Sequence, residues 1–270
     1  MHPESRSPIG IIDSGMGGIS IRTAIVRAMP HEGTVYWADT AHCPYGGRER
    51  EEIVRLVRAG VGTLLAEGVK LIVVACNTAT TAAITTLRRE WPEVPFVGLE
   101  PAVKPAAETT QSGVIGVLGT EFTVHSEMFQ TTARRYASGV RVIPVAGNRL
   151  VEQVEQGLEE APETERLLRS YIEPLLAAGA DRLVLACTHF PLLAPQIERI
   201  IDGRGMSLID PAEAIARHTR EILAASGLLY EPDGVTTEAP THLFISTGGA
   251  AAAERLRLRA EQYAARLRKR

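Results

Sequence analysis

Two cysteines, Cys76 and Cys187, stand at equivalent positions of an internal repeat. The segments LLAEGVKLIVVACNT (64–78) and LLAAGADRLVLACTH (175–189) align without a gap, are identical at seven of fifteen positions, and lie 111 residues apart. A lone cysteine after an apolar run is most often a packed, inert side chain. A matched pair is different, because duplication can turn both thiols toward one bound molecule from opposite sides. Inversion of a stereocentre needs that arrangement. One group takes a proton from one face of a carbon, the other returns a proton to the opposite face, and the roles exchange in the reverse direction. A thiol can serve as both acid and base, since efficient proton transfer needs a pKa not far from the working pH. Cys76 is followed by Asn77-Thr78-Ala79-Thr80-Thr81, residues that cap and start a helix. A helix N-terminus favours the thiolate over a thiol of ordinary pKa ~8.5.

The other polar turns carry chemistry less specifically. Asp13-Ser14-Gly15 closes the first apolar run, and Gly17-Gly18 then permits a close backbone approach. It is not the dinucleotide fingerprint, because Ser20 stands where the third glycine belongs. Asp39-Thr40 closes the second run, with the turn Pro44-Tyr45-Gly46-Gly47-Arg48 beside it. Gly119-Thr120-Glu121-Phe122-Thr123 closes the first run of the second half. Each of these is either a turn and cap or a carboxylate-binding loop. Cys187-Thr188-His189 offers two metal ligands, but no Cys-x-x-Cys or His-rich partner follows. Protein zinc sites draw on about three or four side chains, so no metal is expected.

The elements that must position these residues follow from periodicity. Nine short apolar runs, at 9–12, 35–38, 71–75, 96–99, 114–118, 140–145, 183–186, 207–209 and 242–245, read as strands. Helical spacing covers 18–29, 49–67, 78–90, 101–110, 123–136, 163–177, 192–201, 212–225 and 250–267. Runs such as Leu71-Ile72-Val73-Val74-Ala75 are apolar on both faces, as strands of a parallel sheet covered by helices are. A second repeat, IGIIDS (9–14) and IGVLGT (115–120), recurs 106 residues on. The expectation is an α/β protein of two similar doubly wound domains with parallel-sheet cores, related by a pseudo-two-fold axis, with the active site in the cleft between them. The first domain is assigned 1–100 plus 211–270, and the second 101–210.

Composition excludes several function classes. Over 270 residues the net charge is -3 and the chain is 45% hydrophobic, so neither disorder nor a nucleic-acid partner is indicated. The C-terminal Arg255, Arg257, Arg259, Arg266, Arg268, Lys269 and Arg270 read as a solvated helix with cations toward its C-terminus. No signal peptide is recognised, and no apolar run approaches the ~18 residues of a membrane span, so no membrane partner and a cytoplasmic location are expected. Three sparse cysteines are not a disulfide framework.

The motifs IGIIDSGMGG, ADTAHCPYGGR, VVACNTAT, GVIGVLGTEFTV, LACTHFPLL and LIDPAEAIA, in that order, resemble those of glutamate racemases, within the aspartate/glutamate racemase superfamily. The resemblance runs from about Ile9 to Ile245. It implies interconversion of L- and D-glutamate without a cofactor, supply of D-glutamate for peptidoglycan, and a homodimer. By this likeness Cys76 takes the proton from D-glutamate and Cys187 from L-glutamate, assisted by Asp13 and His189 respectively. Ser14, Tyr45, Gly46, Asn77, Thr78 and Thr188 look like substrate-binding residues, as do Asp13 and His189, with Thr120 and Thr123 as further contacts. The family's glutamate that assists the second thiol is aligned with Glu155, and Glu152 competes for that position. Cys43 departs from the family pattern, standing where an apolar residue is expected. Aspartate, a hydantoin or a small unsaturated diacid as substrate, or a non-enzymatic two-domain amino-acid-binding protein, are the alternatives.

Overall fold

The structure is a computed structural model and describes residues 4–232 and 239–268. Lys269 and Arg270 of the basic C-terminal run lie outside the described residues. Two compact units are present, Met1–Leu99 with Ala212–Arg270, and Glu100–Pro211.

Unit 1 begins with β1 (Ile9–Asp13), α1 (Ile19–Ala28), β2 (Thr34–Ala38), α2 (Arg50–Ala66), β3 (Leu71–Val74), α3 (Asn77–Glu90) and β4 (Phe96–Gly98). Unit 2 contains α4 (Val103–Thr109), β5 (Val114–Gly119), α5 (Glu121–Val124), α6 (Glu127–Tyr136), β6 (Arg141–Ala146), α7 (Leu150–Glu155), α8 (Pro162–Ala177), β7 (Arg182–Ala186), α9 (Ala194–Ile201) and β8 (Ser207–Ile209). The chain then returns to unit 1 as α10 (Ala212–Ala225), β9 (His242–Ser246) and α11 (Ala250–Leu267). Each unit is a parallel sheet covered by helices, ordered β4-β3-β1-β2-β9 in unit 1 and β6-β5-β7-β8 in unit 2. The fold class is therefore two parallel-sheet α/β domains, with neither sheet closed into a barrel.

Every residue of β1, β2 and β3 is buried, which explains why these strands are apolar at every position rather than at alternate ones. Helices α2 and α3 pack on one another and on β1 through β4, while α1 packs with α10 and α11. The seat of α2 is tight at Gly60, where a Cβ would stand 2.4 Å from Ile12 and 2.7 Å from Trp37. In unit 2, Ile115, Val117, Val184 and Ala186 of the sheet meet Val103, Ala106, Phe129 and Ala137 in one apolar cluster. Pro144 lies within β6, where a missing N–H is tolerated because β6 is an edge strand.

The repeat has one structural meaning in both units: a helix, a glycine in left-handed conformation, a buried strand, then a cysteine. Gly68 (φ 71°) ends α2 and Gly179 (φ 81°) ends α8, each where the chain must reverse into its strand.

Two elements differ from the sequence expectation. The single helix over 123–136 is two helices, because Thr120 caps α5 and Ser126 caps α6; the Ser126 Oγ accepts from Phe129 N at 3.1 Å and donates to Thr123 O at 2.7 Å. The six-residue α7 is an additional helix. Its N-cap is Arg149 at φ 68°, with no capping side chain to announce it. No helix among the described residues is long and apolar enough to cross a membrane. Within the basic C-terminal helix, Arg257 pairs with Glu254 and Glu261.

Candidate functional site

Strand order decides where a ligand can bind. In unit 1 the chain passes from β1 outward to β2, then returns across β1 to β3. Winding reverses between β1 and β3, and the carboxyl ends of those strands flank a crevice. Asp13 and Ser14 stand at the end of β1, and Cys76 follows β3. Unit 2 repeats the logic: from β5 the chain goes out to β6 and back to β7, so Thr120 after β5 and Cys187 after β7 flank the second reversal.

In unit 1 the Cys76 sulfur is itself the cap of α3. It accepts from Ala79 N at 3.4 Å and lies 3.8 Å from Ser14 Oγ, across the crevice. A helix N-terminus aimed at sulfur favours negative charge there. Asp13 is buried and its Oδ1 accepts from Gly15 N at 2.8 Å, which folds the loop back on the strand end. Tyr36 Oη, from β2, donates to Gly15 O at 2.8 Å. Gly18 admits this tyrosine, since a Cβ there would stand 2.8 Å from the hydroxyl. Thr80 pins α3 to the sheet by donating to Val74 O and accepting from Leu99 N, each at 3.0 Å. Asn77, only 2% exposed, has no hydrogen-bond partner for either side-chain atom among the described residues. A buried amide without partners is rare in folded proteins, which makes Asn77 a candidate contact for a ligand.

The Tyr45 side chain is buried, and its hydroxyl donates to Asp39 Oδ2 at 2.7 Å. Burial, and then the adjacent Asp39 carboxylate, push this phenol far above its ordinary range, so it stays a neutral donor. The hydroxyl is thereby committed to Asp39. What the Tyr45-Gly46 turn offers a ligand is main chain.

In unit 2 three residues form a chain. Cys187 Sγ lies 3.9 Å from His189 Nδ1, and His189 Nε2 lies 2.7 Å from Glu155 Oε1. Cys187 and His189 are buried, while the Glu155 side chain is 22% exposed. Helix α7 presents Glu155, not Glu152, to the imidazole, because Leu150, Val151 and Val154 turn its apolar side inward. Thr120 and Thr123 bond one another: Thr120 Oγ1 accepts from Thr123 N at 3.2 Å and donates to Thr123 Oγ1 at 2.9 Å. Thr188 is buried beside Cys187 in the chain, as Thr78 is two residues after Cys76. Cys43 is half-buried and forms no disulfide.

The sequence placed Asp39 in a turn that either caps or binds a carboxylate, without a role for its side chain, and it gave no role to Tyr36. Asp39 carried a signal, since it follows Ala38, the last residue of β2 and the register partner of Asp13. Tyr36 carried none, because a tyrosine inside an apolar run is indistinguishable from core.

Comparison with known proteins identifies the family. Residues 9–219 match the family described as Asp/Glu/Hydantoin racemase. The sequence is similar to a glutamate racemase of Roseiflexus sp. (strain RS-1), 47% identical over 229 residues, covering 85% of this chain and 84% of that protein. The fold is similar to that of glutamate racemase isoform RacE1 from Bacillus anthracis, with a TM-score of 0.82 and 32% identity over 95% of this chain and 94% of that one. It is also similar to Escherichia coli glutamate racemase, solved in complex with L-glutamate and the activator UDP-MurNAc-ala, with a TM-score of 0.78 and 31% identity over 95% of each chain. With a match that runs through both units, the chain belongs to the Asp/Glu/hydantoin racemase family of isomerases.

Proposed function

We propose that the chain interconverts L- and D-glutamate by a two-base proton transfer at Cα, with Cys76 and Cys187 on opposite faces of that carbon. The observation that carries this reading is the equivalence of the two thiols: each follows a buried strand at the reversal of its own sheet. Cys76 removes the proton from D-glutamate while Cys187, as thiol, supplies one to the other face; from L-glutamate the roles exchange. Asp13 assists on the first side. On the second, His189 assists, oriented by Glu155 2.7 Å away. The carbanion-like species is stabilised by hydrogen-bond donors around the α-carboxylate, so no electron-sink cofactor is required. Asn77, Ser14, Thr78, Thr188 and the Tyr45-Gly46 main chain hold the carboxylates, with Thr120 and Thr123 shaping the Thr188 side. Asp13 accepts from the ammonium. Glutamate is favoured over other substrates of the family by relatives such as those above. The product serves peptidoglycan synthesis in the cytoplasm, and the working form is a homodimer.

The test is circular dichroism of the purified protein given L-glutamate and, separately, D-glutamate, with no cofactor added. The expected result is decay of each signal to zero. Decay on aspartate but not on glutamate would move the substrate and keep the thiols. An absence of decay on either would overturn the reading.

A further inference from the structure

We infer that Thr247, in the turn after β9, is a positioning residue for the substrate-binding turn around Tyr45, acting through Asp39. Asp39 is 1% exposed and its carboxylate gathers three side chains. Oδ2 accepts from Tyr45 Oη at 2.7 Å; Oδ1 lies 2.7 Å from His42 Nδ1 and accepts from Thr247 Oγ1 at 2.7 Å. The Asp39 amide donates to Asp13 O at 3.0 Å, so the same residue touches the loop that carries Asp13.

Thr247 closes this assembly from the far end of the sequence. Its hydroxyl also accepts from Ala41 N at 3.1 Å, and its amide donates to Ala38 O at 3.1 Å. Beside it, Ser246 Oγ lies 2.7 Å from Thr40 Oγ1. The latch fits closely: a Cβ on Gly248 would stand 2.5 Å from Thr40 Oγ1, and Gly249 has φ 83°, where a side chain is strained. Four successive residues, Ser246 to Gly249, are thus shaped to grip 38–41. They run on from the last residue of β9, which is the edge strand beside β2 and lies beyond residue 219, where the family match ends. A hydroxyl that fixes Asp39 fixes Tyr45 through it, and with Tyr45 the main chain that the proposed function assigns to the substrate carboxylate.

The inference rests on that proposed function for its kinetic consequence, and its test uses the whole chain. Thr247→Val keeps shape and removes the hydroxyl; Thr247→Ser keeps the hydroxyl and removes the methyl. Expected for Thr247→Val is a rise of about ten-fold in KM for both glutamate enantiomers with a smaller change in kcat, the size of one lost hydrogen bond to a carboxylate. Amide hydrogen exchange over 39–48 should also quicken, with exchange in unit 2 unchanged. Thr247→Ser should restore both. Wild-type values in Thr247→Val, or equal impairment in the two variants, would overturn the inference. Should Thr247→Val fail to fold, Ser246→Ala is the substitute, expected to quicken exchange over the same segment. A wild-type protein inert toward glutamate would sink the substrate reading alone, because the exchange measurement still decides the latch.

Discussion

Glu155 Oε1 lies 2.7 Å from Nε2 of His189, and Nδ1 of the same ring lies 3.9 Å from the sulfur of Cys187. An imidazole between a carboxylate and a thiol has its tautomer set by the carboxylate, which decides whether the thiol meets a donor or an acceptor. Glu155→Gln is expected to lower kcat by about ten-fold or more through misorientation of that ring. His189→Asn should cost more, about 10²-fold or above. Glu152→Gln should leave turnover unchanged. Steady-state polarimetry of the three variants checks the order; a Glu152 effect larger than that of Glu155 would refute the assignment.

Cys76→Ser and Cys187→Ser should each reduce racemisation by at least about 10²-fold, since a hydroxyl is a far poorer proton-transfer group at neutral pH. Enantiomers have equal free energy, so kcat/KM must fall by the same factor from either side in both variants. Near-normal turnover in either one would mean that a single base suffices. Alkylation of whichever of Cys76 and Cys187 remains, followed apart from that of Cys43 and slowed by glutamate, shows that the variant still folds and binds.

Asn77→Ala should separate stability from activity. Its amide is buried and without a partner among the described residues, so its removal forfeits none of the hydrogen bonds they make and adds a better helix former to the first turn of α3. The melting temperature should hold or rise, while KM for glutamate rises by about ten-fold. A fall in stability with unchanged KM would show that the amide serves the fold.

Lys70 is buried with its Nζ 2.6 Å from Glu32 Oε2, and it also donates to Ser5 O and Leu228 O. Burial pulls the ammonium below its usual range, and Glu32 opposes that pull. Lys70→Met strands a buried carboxylate and should destabilise unit 1 by about 3–5 kcal/mol. Lys70→Met combined with Glu32→Leu should recover much of the loss. Denaturant midpoints of the two variants decide.

Asp181 occupies the place in unit 2 that Lys70 holds in unit 1, the residue before the buried strand of the repeat. Burial would raise its carboxyl, but Thr110 Oγ1, the amides of Gln111 and Ser112, and Arg182 outweigh it and hold the pKa to about 2. A pKa lowered on folding stabilises above the unfolded value of 3.8, and the gain disappears as pH falls toward 2. The stability gap between wild type and Asp181→Asn should therefore be widest above about pH 4 and close by about pH 2. A gap that stays constant across this range would show that charge is not what Asp181 contributes.

Much of the fold was legible because parallel strands covered on both faces leave an unbroken apolar signal, as in Leu71-Ile72-Val73-Val74. The helix–glycine–strand–cysteine repeat was legible for a stronger reason: Gly68 and Gly179 are fixed by backbone conformation and cannot drift with packing. What was not legible depended on contacts distant in sequence. Nothing local marks α7, whose cap is a left-handed arginine, so Glu152 and Glu155 could be ranked only once the helix was seen. Nor does the Tyr45 motif disclose that its hydroxyl is committed to Asp39, or that residue 247 closes the same network. Hydrogen bonds that span some 208 positions leave no periodicity to read.

The edge strand β9 has a consequence for synthesis. Unit 2 is one continuous stretch, Glu100–Pro211, whereas the first sheet waits for residues 242–246 to complete it. As the chain emerges from the ribosome, the unit encoded in the middle is whole while the one encoded first still lacks its outer strand, α10 and α11. Assembly is thus expected to run against the usual N-terminal-first order. A nascent chain from which residues through Pro211 had cleared the exit tunnel would carry a finished second unit, and a first unit whose Asp39 had yet to meet its latch.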